Sequence, residues 1–125
     1  MVKNVLGSVL QTCCTDPLTG FYRDGKCNTG PDDPGKHSIC VEVSDEFLKH
    51  QASIGNDLIT PHLEFGFPGL KAGDRWCVCI ELWKASYDAG IIAPVRLEAT
   101  HEQALEVVSM EELLKSADFK SSPAN

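Results

Sequence analysis

Two long stretches dense in glycine and proline leave this chain few places to build helix or strand. The first runs from Thr15 to Lys36 and carries Pro17, Gly20, Gly25, Gly30, Pro31, Pro34 and Gly35. The second runs from Gly55 to Asp74, with Pro61, Gly66, Pro68, Gly69 and Gly73. Proline lacks a backbone N–H and glycine is costly to order, so neither stretch sustains a helix or a central strand. Loops beyond about 12–15 residues in a small domain are either disordered or functional. Composition separates the two cases. Leu18, Phe21, Tyr22, Leu58, Leu63, Phe65, Phe67 and Leu70 are large apolar residues of the kind disordered linkers lack. Both loops are therefore expected to be ordered and anchored.

The segments between them carry periodic signals. Ser38 to Val43 is short and β-branched, which predicts a strand. Ser44 caps a predicted helix from Asp45 to about Ile54, with acids in its first turn and Gly55 just past its end. A strand is predicted from Arg75 to Ile80 and a helix from about Glu81 to Ala89, stopped by Gly90. A further strand is expected over Val95–Ala99, then a turn with a capping box of Thr100 and Gln103. Ser109 and Glu112 form a second such box for a last helix, Met110 to about Ala117. The expected fold is α+β: a mixed or mostly antiparallel sheet, two to three helices, and the two long ordered loops closing over one edge or face. A parallel layer is the alternative, because strands and helices alternate after Ile39.

A chain of 125 residues is the size of one domain, expected over 1–118 with a frayed tail over 119–125. The formal charge of −7 opposes binding to phosphate backbones, which depends on Lys and Arg displacing counterions. Nucleic acid and membrane are thus not expected partners, and no stretch approaches the ~20 apolar residues that span a bilayer. The start, Met1 to Leu10, is too short and mixed for a signal peptide, so the expected location is cytoplasmic. There the six cysteines, Cys13, Cys14, Cys27, Cys40, Cys77 and Cys79, read as reduced thiols. The oligomeric state is not legible.

Three groups of residues can carry chemistry. Cysteine spacings match no zinc motif, since the close pairs are adjacent or one residue apart. A strand would nevertheless put Cys77 and Cys79 on one face, where Cys27 or Cys40 and His37 could complete a site. In the first loop, Arg23 can grip a carboxylate or phosphate, Asp24 can orient it, and Asn28 and Thr29 add neutral donors and acceptors. Asp57 and Arg75 join this pocket if the two loops meet over the sheet. His101-Glu102 lacks the second histidine of a metalloprotease motif but could shuttle a proton at a strand-to-turn junction.

Several of these segments recur together in one known family. Asn4-Val5-Leu6-Gly7, the run Thr15 to Gly25, Cys27-Asn28-Thr29-Gly30-Pro31, Gly55-Asn56-Asp57-Leu58, Glu64 to Leu70, Gly73 to Cys77, Cys79 and Leu97 to Glu102 resemble, in order, a bacterial family called domain of unknown function 2237. The resemblance implies a small, stand-alone, cytoplasmic protein and assigns no catalytic residue, cofactor or metal. The family more often holds a small hydroxyl residue where this chain has Cys14.

The leading functional expectation is a small-molecule binding protein or enzyme. Its polar, loop-built pocket is drawn from Asp16, Arg23, Asp24, Cys27, Asn28, Asp57 and Arg75, with His101 as base and Glu102 or an Asp as orienter for hydrolysis or proton transfer. One alternative is a metal- or thiol-based module of Cys27, Cys40, Cys77 and Cys79 with His37. Another is a non-catalytic interaction domain, which a pocketless fold exposing Phe65, Phe67 and Leu70 would favour.

Overall fold

The computed structural model describes residues 2–117, so the tail expected over 119–125 lies outside the described residues. The described residues form a small α+β domain with three helices and a two-stranded antiparallel sheet. Strand β1 (Ile39–Glu42) pairs with β2 (Arg75–Val78), with Cys40 opposite Cys77 and Val41 opposite Trp76. Alternation of side chains gives the sheet two unlike faces. Ile39, Val41, Trp76 and Val78 enter the main core. Cys40 and Cys77 face a smaller cluster with Cys13, Cys27 and Ala99.

Helix α1 (Asp45–Ser53) starts where the sequence indicates, its Phe47 N–H donating to the Ser44 hydroxyl. Helix α2 (Ile80–Asp88) takes Ile80 as its first residue, which leaves Cys79 at the N-cap position rather than in a strand. The buried Gln51 amide joins the two helices by donating to the Leu82 carbonyl and the Ser86 hydroxyl. Helix α3 (Met110–Ala117) opens on the expected capping box: the Ser109 N–H donates to the Glu112 carboxylate and the Glu112 N–H to the Ser109 hydroxyl.

Two local expectations fail for one reason. The predicted strand Val95–Ala99 reduces to a single bridge between Val95 and Val41, and Leu97–Ala99 coils into a 3-10 turn. The Thr100 hydroxyl donates back to the Arg96 carbonyl and accepts the Cys40 N–H. That hydroxyl is then committed and cannot cap the following turn. His101 caps it instead, its Nδ1 accepting from the Gln103 N–H at 3.0 Å.

The expectation of reduced cysteines is overturned. Cys13 is bonded to Cys40 and Cys27 to Cys77, while Cys14 and Cys79 are free. The first loop lies across the cysteine face of the sheet, so Cys77 bonds upward to Cys27 in that loop, while Cys40 bonds to Cys13 in the segment just before it, rather than to one another. Thr19 adds a further tie by accepting the Cys77 N–H at 2.8 Å. A Gly/Pro-rich segment with no ladder of its own is held in this way by covalent bonds. The correction extends to the metal site drawn from Cys27, Cys40, Cys77, Cys79 and His37. Three of its four sulfurs are oxidised, and cysteine binds metal as the thiolate. The Sγ atoms of Cys13, Cys27 and Cys77 fall within 4.8 Å of one another because the two disulfides lie side by side. Among the described residues, no helix is long and apolar enough to cross a membrane.

Candidate functional site

The two long loops converge over β2 and enclose a cleft of about 590 Å³, within the range of small-molecule sites. Gly20, Phe21, Arg23 and His37 come from the first loop side; Asp57, Leu58, His62, Phe65 and Phe67 come from the second. Trp76 and Cys77 are supplied by β2. The lining is mainly apolar and aromatic, with four side chains that can carry charge.

Arg23 is held from two directions. Its backbone has φ of 56°, an uncommon left-handed conformation for a residue with a side chain. Its backbone N–H and its Nη1 both donate to the Gly20 carbonyl, at 3.0 and 2.7 Å. The guanidinium carbon then sits 5.4 Å from the Trp76 ring centroid, a cation–π arrangement. Among the described residues, its remaining N–H groups have no hydrogen-bond partner and are free for an anion. Asp57 is fixed by its own turn. The Thr60 hydroxyl, then the Ile59 and Thr60 N–H groups, hold its carboxyl below the usual carboxylate range.

His37 is oriented by Asp33. The Asp33 carboxylate is fully buried, with Oδ1 2.8 Å from His37 Nδ1 and Oδ2 accepting from the Thr29 hydroxyl and the His37 N–H, each at 2.9 Å. Burial pushes this carboxyl up, but the His37 N–H, the His37 ring and the Thr29 hydroxyl together hold it below its ordinary value. Phe21 stacks on the imidazole at 6.0 Å between centroids. Gly35 lies beneath it: a Cβ there would approach Cε1 to 2.8 Å.

Of the residues singled out from the sequence, Arg23 and Asp57 are brought together in this cleft. Asp24 accepts the Lys26 N–H in its own turn, and Cys27 is sealed in a disulfide against Cys77. Asn28 and Arg75 do not line the cleft; Arg75 stands at the end of β2 opposite Glu42. Asp16 borders a separate hollow beside Pro68 and Asp74. His101 is buried at the N-terminal junction, bridged to Asn4, while Glu102 is exposed there. Phe67 and Leu70 are buried and Phe65 is 71% exposed at the cleft rim, so the pocketless surface that an interaction domain would present is not what the loops form.

The cleft residues that sequence reasoning passed over are Phe21, Trp76 and His62, with Asp33 behind them. Thr29, Asp33 and His37 recur at intervals of four, but outside a helix that spacing does not imply contact. Only the fold of the loop reveals it.

Burial pushes the His101 imidazole below its usual range, with Glu102 and then Glu106 acting weakly the other way. A depressed folded value means stability is fully present above the ordinary imidazole value of about 6.5 and is lost as pH falls through the folded value. The melting temperature is therefore expected to fall between pH 7 and pH 5 more steeply in the parent than in His101→Asn, where the amide oxygen can still cap the turn. Equal slopes in the two proteins would remove His101 as the cause.

Fold and cleft together define a class: a small α+β domain in which two long loops, the first tied to the sheet by a disulfide, build an aromatic pocket with an exposed cation. The chain belongs to the family described as an uncharacterized protein conserved in bacteria (DUF2237), which matches residues 3–117. No curated protein matches it.

Proposed function

We propose that the protein binds a small organic anion, its apolar or aromatic body packed among Phe21, Phe67 and Trp76 and its anionic group paired with Arg23. The observation that carries this reading is Arg23 itself. A guanidinium pinned over an indole, with donors to spare, is organised before any ligand arrives, so little ordering entropy opposes binding. Asp57, kept ionised by its turn, offers an acceptor for a hydroxyl or amine elsewhere on the same ligand.

The reading is tested by isothermal titration of arylalkanoates, such as phenylacetate and 3-phenylpropionate, against their neutral amides. Acids are expected to bind at least tenfold more tightly than amides, and Arg23→Gln to abolish that preference, since a charge-assisted hydrogen bond contributes about 1.5–3 kcal/mol. Equal binding of acid and amide by the parent would end the proposal. The cytoplasmic location expected from the sequence is kept within it. The cysteines of both disulfides are 0–3% exposed, and reduction requires an attacking thiolate to reach a sulfur. Detection of the protein in the cytoplasmic fraction of gently fractionated bacterial cells tests that placement, and recovery outside that fraction would end it.

A further inference from the structure

We infer that His37, oriented by Asp33, is a catalytic general base that directs water onto an ester of the anion held in the cleft. The inference rests on the proposed cleft function and adds chemistry to it. Of the histidines, His101 spends Nδ1 on the Gln103 N–H in a buried turn, and His50 pairs Nδ1 with the Ser86 hydroxyl at 2.6 Å. His62 stacks on Phe67 and lies 3.8 Å from Glu64, a largely exposed partner. His37 alone among the described histidines combines a fully buried carboxylate on Nδ1 with a ring that lines the cleft.

That geometry selects a tautomer. A carboxylate beside Nδ1 accepts the Nδ1 proton, so Nε2 carries the lone pair. Among the described residues Nε2 has no hydrogen-bond partner, and the side chain is 38% exposed, so water can reach it. When Nε2 takes a proton, the Asp33 carboxylate offsets the new positive charge without moving, because three donors already fix it.

The arrangement favours hydrolysis over proton abstraction from carbon. The cleft is open to solvent on one side, and a carbanion formed there would be quenched by the water that hydrolysis consumes. In the proposed step a water gives one proton to His37 Nε2 while its oxygen bonds to the ester carbonyl carbon. The carbon–oxygen bond to the leaving group then breaks, and the leaving oxygen takes the proton back from His37. The products are a carboxylic acid and an alcohol, and no redox partner is needed. Arg23 anchors a carboxylate on the acyl side.

The mono-(4-nitrophenyl) ester of glutaric acid presents a carboxylate, an ester and an aromatic ring in one probe, and the monoanilide of glutaric acid is its slowly hydrolysed counterpart. The intact parent protein is expected to bind the anilide and to release nitrophenolate catalytically. His37→Gln is expected to lower kcat by about 10²-fold or more with anilide affinity within a few-fold of the parent. Asp33→Asn, a change at a positioning residue, is expected to lower kcat with KM little altered. Nitrogen-15 NMR of the parent histidines supplies a readout that needs no variant to fold: His37 is expected as the Nδ1–H tautomer. Anilide binding without ester turnover, turnover unchanged in His37→Gln, or an Nε2–H tautomer at His37 would each overturn the inference. Failure of the parent to bind the anilide, by contrast, would strike the cleft reading beneath it.

Discussion

Replacing Cys27 and Cys77 together by alanine is expected to lower the free energy of unfolding by roughly 4 kcal/mol, measured by urea denaturation under non-reducing conditions. The bond closes a loop between residues 50 apart in sequence, and the chain-entropy account assigns a loop of that size about 4 kcal/mol within a usual range of 2–5. The effect is large for a domain whose total stability is expected near 5–15 kcal/mol. It should fall unevenly on the structure. Cys27 ties the first loop to β2, and Thr19 supplies a nearby non-covalent tie through the Cys77 N–H. Amide exchange is therefore expected to rise across the first loop before it rises in α1 or α2. The same protein gives a direct check on the pairing. Denatured without reductant, the parent should expose the two thiols of Cys14 and Cys79, and six after reduction. Six reactive thiols before reduction would remove both bonds and this prediction with them.

The second large effect is expected at Gly20. Its φ of +101° lies where side-chain-bearing residues are strained, and a Cβ there would run into the Lys26 carbonyl oxygen. Backbone cannot step aside as a flexible side chain can. Gly20→Ala is expected to cost more than the 1–3 kcal/mol typical of strained backbone conformations. It should also move the Gly20 carbonyl, which receives both Arg23 donors, so anion affinity should fall along with stability. Gly66→Ala is the control: φ is +68° but nothing lies within 4 Å of the added carbon, which leaves only the left-handed penalty of about 1–2 kcal/mol. If the two substitutions proved equal in melting temperature, crowding at Gly20 would not be the operative term.

The cleft also illustrates how a loop-rich domain of this size can be specific. Its two walls are built from segments that form no regular ladder, and their side chains are placed by fixed hydrogen bonds in place of sheet geometry. Asp57 is set by Thr60, Arg23 by Gly20 and His37 by Asp33. Each anchor is itself local to its loop, while the Cys27–Cys77 bond ties the first loop over the sheet and Cys13–Cys40 fixes the segment that leads into it.

What the sequence determined by itself was the set of features that depend on neighbours within about four residues. Ser44 and the Ser109–Glu112 box announced helix starts because capping bonds span three residues, and the glycine and proline runs marked the loops because backbone freedom is a single-residue property. Val95–Ala99 misled because its β-branched and apolar pattern says nothing of Thr100, whose hydroxyl bonds backward to Arg96 and across to Cys40 sixty residues away. Only the tertiary structure decided which cysteines join, that Arg23 and Asp57 share a cleft while Arg75 stands apart from it, and that His37 and not His101 faces that cleft. Those outcomes depend on which loop crosses which face of the sheet. That choice is made by long-range packing, and no local pattern in the chain encodes it.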